Sequence, residues 1–114
     1  MAITAVVVSA TLNTTGDTAF TSSGFGTPDA AIILLGRGNT ANNPTTHATF
    51  TGGFWCSDPG QAGITFSSED AVSTSDTRRY GGSTYAGSVV SPAEDLVSVS
   101  YSASSTTDGI NLTV

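Results

Sequence analysis

Residues Val6, Val8, Ala10 and Leu12 alternate with Ala5, Val7, Ser9 and Thr11, the period-two pattern of a strand with a mostly apolar inner face. The turn residues Asn13-Thr14-Thr15-Gly16-Asp17 end it. A short extended piece through Phe20 leads to Gly24-Phe25-Gly26-Thr27-Pro28-Asp29 and then to the unbroken apolar run Ala30-Ala31-Ile32-Ile33-Leu34-Leu35. With no alternation, that run predicts a central strand covered on both faces. After a loop rich in Asn and Gly with one Pro, residues 47–56 alternate again: Ala48, Phe50, Gly52, Phe54 and Cys56 on one parity, His47, Thr49, Thr51, Gly53 and Trp55 on the other. Large apolar side chains seek the interior, so Phe50 and Phe54 are expected to face the core and Trp55 to face away from it.

Downstream, Ile64 and Phe66 mark a short strand after the turn Ser57-Asp58-Pro59-Gly60, and a long polar stretch follows. Residues 85–90 and 96–103 read as two further strands, the second placing Val97, Val99, Tyr101 and Ala103 inward and its serines toward water. Asp108-Gly109 forms a hairpin-type turn into Ile110, Leu112 and Val114. Seven or eight short strands joined by turn residues predict an all-β antiparallel sandwich or jelly-roll-like fold. At 114 residues the chain is expected to be one domain, residues 1–114, with residues 1–12 as a candidate assembly strand.

Composition supports strands over helices. There are 16 serines, 19 threonines and 13 glycines, no lysine and only two glutamates. The net charge of −6 would repel a phosphate backbone, which argues against nucleic-acid binding. No apolar run is long enough to span a bilayer, and no basic region precedes the valines, so a soluble protein without a secretion signal is expected.

The order of these segments resembles a β-sandwich module that recurs in virion proteins of tailed bacteriophages, tail-associated ones in particular. The stretches that carry the resemblance are Gly24-Phe25-Gly26-Thr27-Pro28-Asp29-Ala30-Ala31-Ile32-Ile33, the strand at residues 48–54, the run Ser67-Ser68-Glu69-Asp70-Ala71-Val72-Ser73-Thr74-Ser75-Asp76-Thr77-Arg78-Arg79, and the ending from Leu96-Val97-Ser98-Val99 through Asp108-Gly109-Ile110-Asn111. In that module the last Asp-Gly strand is followed by one more apolar strand. Residues 3–12, or a strand of a neighbouring subunit, would fill that position here. The resemblance implies a virion protein, a capsid decoration or tail or fibre subunit, whose partners are copies of itself and other virion proteins.

Little catalytic chemistry is visible. His47 and Cys56 fall on opposite parities of one strand, outside the hydrogen-bond reach a nucleophile pair needs, and there is no Gly-x-Ser-x-Gly elbow. No enzyme activity is therefore expected. Glu69, Asp70 and Asp76 are the candidates for a calcium ion, but no Asp-x-Asp-x-Asp-Gly loop frames them, and no metal or other cofactor is expected. Asp70, Asp76, Arg78 and Arg79 suggest an ion pair that holds a loop. The parity that sends Trp55 outward leaves it covered by a second layer of the same chain or, if uncovered, makes it an interface anchor or, failing that, a sugar-stacking platform. The expected interface is Val6, Val8, Leu12, Trp55, Ile110, Leu112 and Val114. A glycan- or receptor-binding module and a microbial extracellular filament are the alternatives to a virion subunit.

Overall fold

A computed structural model describes residues 3–13, 15–37, 47–58, 60–69, 76–91 and 96–114. They form eight strands and no helix: β1 (Asp17–Thr21), β2 (Ala30–Arg37), β3 (His47–Cys56), β4 (Gln61–Glu69), β5 (Asp76–Gly82), β6 (Gly87–Ser91), β7 (Leu96–Thr106) and β8 (Gly109–Thr113). Two antiparallel four-stranded sheets result, ordered β1-β8-β7-β6 and β2-β3-β4-β5. Each contains a run of sequential antiparallel neighbours, and the chain changes sheet after β1 and after β5. The β-sandwich expected from the alternation is therefore present.

Two expectations about individual segments need correction. Residues 3–13 are extended but belong to neither sheet, and their expected inner face is only half covered: Val8 and Leu12 are partly buried, Val6 and Ala10 are exposed, and Val7 on the other parity is 97% exposed. The run Ala30–Leu35 is an edge strand covered on one face only, with Ile33 and Leu35 buried and Ile32 and Leu34 exposed. An apolar run without alternation fits this arrangement equally well, since one of its faces is apolar and open.

The core is small. Ile33 and Leu35 of β2, Tyr101 and Ala103 of β7, Ile110 and Leu112 of β8, and Ala86 just before β6 make up its buried apolar part. On β7 the expected alternation is present from Tyr101 to Ala103, with Tyr101 and Ala103 buried and Ser102 facing water, while Ser100 is half-buried and the side chains of Val97 and Ser98 lie outside the described residues. The sheets meet most closely where β6 lies over β3 and β4, whose Cα atoms approach those of β6 to within 8 Å. Stacked sheets usually sit about 10 Å apart, so only small side chains fit between these. A Cβ on Gly53 would run into the carbonyl oxygen of Ala86, and one on Gly63 would lie 2.8 Å from the same atom. The molecule measures 54 × 29 × 28 Å, and its radius of gyration of 15.2 Å exceeds the about 13 Å expected of a compact chain this long.

The β7–β8 hairpin closes through Thr107 and Asp108, as its Asp-Gly sequence suggests. Asp108 takes a left-handed backbone (φ 64°), which Asp tolerates better than most residues. Its carboxylate accepts a hydrogen bond from the Gly26 N–H at 2.8 Å, and its carbonyl accepts one from Ser22 at 2.9 Å, so the turn also fastens the β1–β2 connection. Asp108→Ala should lower unfolding stability by about 2 kcal/mol, roughly half from backbone strain and half from the lost bond. Asp108→Asn should retain most of it. Urea denaturation of both variants checks this, and an Ala variant as stable as wild type would refute it.

Candidate assembly surfaces

Asn13 ties the N-terminal segment to the sandwich. Its backbone N–H donates to Thr18 Oγ1 at 2.9 Å, its side-chain amide donates to the Asp17 carbonyl at 2.9 Å, and its carbonyl accepts from the Tyr101 hydroxyl at 3.3 Å. Residues 3–12 extend from this anchor outside the ladders of both sheets. Residues Thr4 to Val8 line one side of a cleft of about 510 Å³ whose other walls include Phe20, Ile33, Leu35, Ile110 and Leu112. The sandwich is tightly closed at β6 and loosely filled beneath this segment.

The second surface is the outer face of β2-β3-β4, which sequence reasoning assigned to the interior. Phe50 and Phe54 are exposed, while the opposite parity of β3 points inward: Thr49 and Thr51 are buried, and Trp55 is partly buried against the core. The expected outward direction of Trp55 is thus corrected, and with it the basis for reading this side chain as an exposed anchor or sugar platform. Cross-strand partners share a face, so the register sets out the exposed rows. Gly36, Phe50 and Phe66 form one row, Leu34, Gly52 and Ile64 the next, and Ile32, Phe54 and Ala62 the third. Ile32 is 85% and Leu34 69% exposed.

Between the sheets the same strands are polar. Thr51 Oγ1 donates to the Ser88 carbonyl at 2.7 Å and lies 2.7 Å from Thr65 Oγ1, which lies 2.8 Å from Ser88 Oγ. If Thr65 donates to Thr51 and Ser88 donates to Thr65, all three buried hydroxyls are satisfied. Ser67 Oγ, one row further along β4, is buried with no partner. Gln61 bridges the sheets at the other end, accepting from the Ala103 N–H at 2.7 Å and donating to the Thr84 carbonyl at 2.9 Å. Small hydroxyl side chains fit the close approach of β6, and their polarity requires these partners.

The remaining expected site residues are distributed as follows. Ile110 and Leu112 lie in the chain's own core, so they are not available to a neighbour as expected, whereas Val114 is exposed and Val6 partly so. Asp70 lies outside the described residues. Glu69 and Asp76 face each other in the β4–β5 register and His47 pairs with Glu69, so these three positions form one row across β3, β4 and β5. The side chains of His47, Glu69, Asp76 and Arg78 lie outside the described residues, so the expected ion pair and calcium ligands are not addressed. Arg78 is in register with Ser67 and Arg79 with Phe66, which puts the two arginine positions on opposite faces, Arg79 being exposed. Among the described residues no group of three or more His, Cys, Asp or Glu side chains is arranged to hold a metal ion. Cys56 sits at the far end of β3 from His47, its thiol donating to the Gly60 carbonyl at 3.3 Å.

No protein-family model matches the chain, and no curated protein or solved structure is significantly similar to it.

Six residues escaped the sequence reading as surface candidates: Ile32, Leu34, Phe50, Phe54, Ile64 and Phe66. What reveals them is the packing of one sheet on the other, not a pattern within the strand. Only the parity of β3 that carries Thr49, Thr51 and Gly53 can lie against a strand as close as β6.

Proposed function

We propose that this chain is a non-enzymatic structural subunit of a tailed-bacteriophage virion, a capsid decoration or tail or fibre protein that joins copies of itself into a symmetric array. The observation that carries the reading is the N-terminal segment. Residues 3–12 are apolar and β-prone, lie outside both sheets, and flank a loosely filled part of the core beside the edge strand β2. An extended segment with unused backbone donors and acceptors adds readily to a sheet edge, and a neighbour's edge supplies what its own chain does not. Repetition of one such contact through symmetry gives strong assembly from weak single contacts. The segment order that resembles phage virion modules supports the virion as the place of assembly. The acidic, lysine-free composition keeps an unassembled subunit soluble.

Val7 is the residue to change, because its exposure means that the lone subunit does not depend on it. The full-length chain should sediment as assemblies larger than a dimer. Val7→Asp should reduce them to small species with an unchanged melting temperature, since a buried unpaired carboxylate is costly only in the assembled state. A wild-type chain that stays a monomer at the highest concentration reached would sink the self-assembly reading. Virion placement has its own test in the flanking genes: capsid, portal and terminase genes retain it, and a secretion cluster removes it.

A further inference from the structure

The outer face of β2-β3-β4 carries only apolar residues and glycine in its three exposed rows, and its apolar area matches the largest patches of ordinary monomers. With about 200 Å² for each fully exposed large side chain, its six large apolar residues present roughly 600 Å². The largest patch on an ordinary monomer is about 300–600 Å². Each partner in a stable complex of standard size buries about 800 Å², most of which this face supplies before its alanines and glycines are counted.

We propose that a second copy of this chain covers the face, the two outer surfaces meeting across a two-fold axis near Gly52. The proposal rests on the reading of the chain as an assembly subunit and adds a contact distinct from the N-terminal segment. A two-fold interface must be its own complement, so one patch has to carry both projections and hollows. This one does. A shallow hollow of about 550 Å³ is lined by Gly52, Gly53, Gly63, Leu34, Phe54 and Ile64, among others. Phe50 and Phe54 rise from the same face of β3, two residues to either side of Gly52, and so flank the hollow as projections. Charge favours a protein over an anionic membrane as the occupant, since the chain carries −6 and only three basic residues. The exposed Arg79, in register with Phe66, lies at the rim, where a charge stays solvated.

Two variants of the full-length chain test this by sedimentation across a concentration series, with urea denaturation alongside. A side chain at Gly52 meets only Phe50 Cε1, at 4.0 Å, so Gly52→Val should fold at least as well as wild type. It fills the hollow, however, and should weaken the dimer by at least about tenfold. Leu34→Arg places a charge in the interface and should weaken it by about a hundredfold or more while leaving the urea midpoint near that of wild type. Dimerisation equal to wild type in both variants would overturn the proposal, as would a wild-type chain that never dimerises. A monomeric wild type that binds phosphatidylcholine vesicles would assign the face to lipid and also overturn it. Leu34 also lines the cleft beneath residues 4–8, so Gly52→Val and Val7→Asp are the pair that separates the two contacts: Val7→Asp should stop growth but leave the dimer. Large assemblies that survive Gly52→Val and Leu34→Arg unchanged would remove the face while keeping the segment.

Discussion

Gly53→Ala is expected to cost about 3 kcal/mol or more and to leave little folded protein at moderate urea, whereas Gly52→Ala, one residue away, should be neutral or slightly stabilising. The two glycines are neighbours in one strand and differ only in the face they present. The Gly53 Cβ would collide with the backbone carbonyl of Ala86, and neither partner can rotate aside, because Ala86 is fully buried and its N–H is bonded to the Tyr101 carbonyl at 2.8 Å. Relief would require the sheets to separate, which would also break the hydroxyl contacts between β3, β4 and Ser88. A Cβ on Gly52 enters open space on the outer face, and Ala costs less conformational entropy than Gly in a strand, by about 0.5–1 kcal/mol. The pair is therefore a direct test of which face is inside. If Gly52→Ala unfolds the protein and Gly53→Ala does not, the facing of β3 is inverted and the outer apolar surface does not exist.

That facing is also where sequence reasoning failed, and the reason is physical. Strand positions were legible from turn chemistry and alternation: β7 and β8 follow the pattern of Val99, Tyr101, Ala103, Ile110 and Leu112, and the Asp-Gly hairpin falls where it was read. Within a single strand, alternation identifies two faces without saying which one is covered, and only the rule that larger apolar residues lie inward chooses between them. In β3 that rule selects Phe50 and Phe54. The choice is decided across sheets instead, by the close approach of β6 over Gly53 and Gly63, which admits Thr51 and Thr65 and excludes a phenyl ring. No pattern within residues 47–56 encodes the distance to β6. The same limit explains the run Ala30–Leu35: uniform apolarity is compatible with two covered faces or with one covered face and one available for a partner. For the candidate site, the apolar N-terminal segment was legible, and the sheet face was not. Nothing in the chain's charge or in its lone histidine and cysteine pointed to that face, since apolar assembly uses residue types that a core also uses.

Removing the hydroxyls of Thr51 and Thr65 together should cost less than the sum of the two single losses. Thr51→Val takes away the 2.7 Å bond to the Ser88 carbonyl and the acceptor for Thr65, but the Thr65 hydroxyl lies 3.4 Å from the same carbonyl and can turn toward it. About 1–2 kcal/mol should be lost. Thr65→Val has no such rescue: Ser88 Oγ is fully buried and loses its acceptor, so about 2–3 kcal/mol is expected. Valine nearly matches threonine in shape, so neither change opens a cavity, and the loss measures hydrogen bonding alone. In the double variant the Thr51–Thr65 contact is counted once rather than twice, so the combined cost should fall short of the sum by about 1 kcal/mol. Adding Ser88→Ala to the double variant should then recover stability, because it removes the orphaned hydroxyl and turns that part of the seam apolar. Urea unfolding of the four variants and the wild type gives each value. Strict additivity, or a triple variant less stable than the double, would mean that the three hydroxyls act independently and that the polar seam is not what holds β6 against β3 and β4. If the cycle closes as expected, it also explains how the sandwich leaves its phenylalanines outside: the short distance between the sheets is held by hydrogen bonds between small side chains, which leaves the aromatic face available to a neighbour.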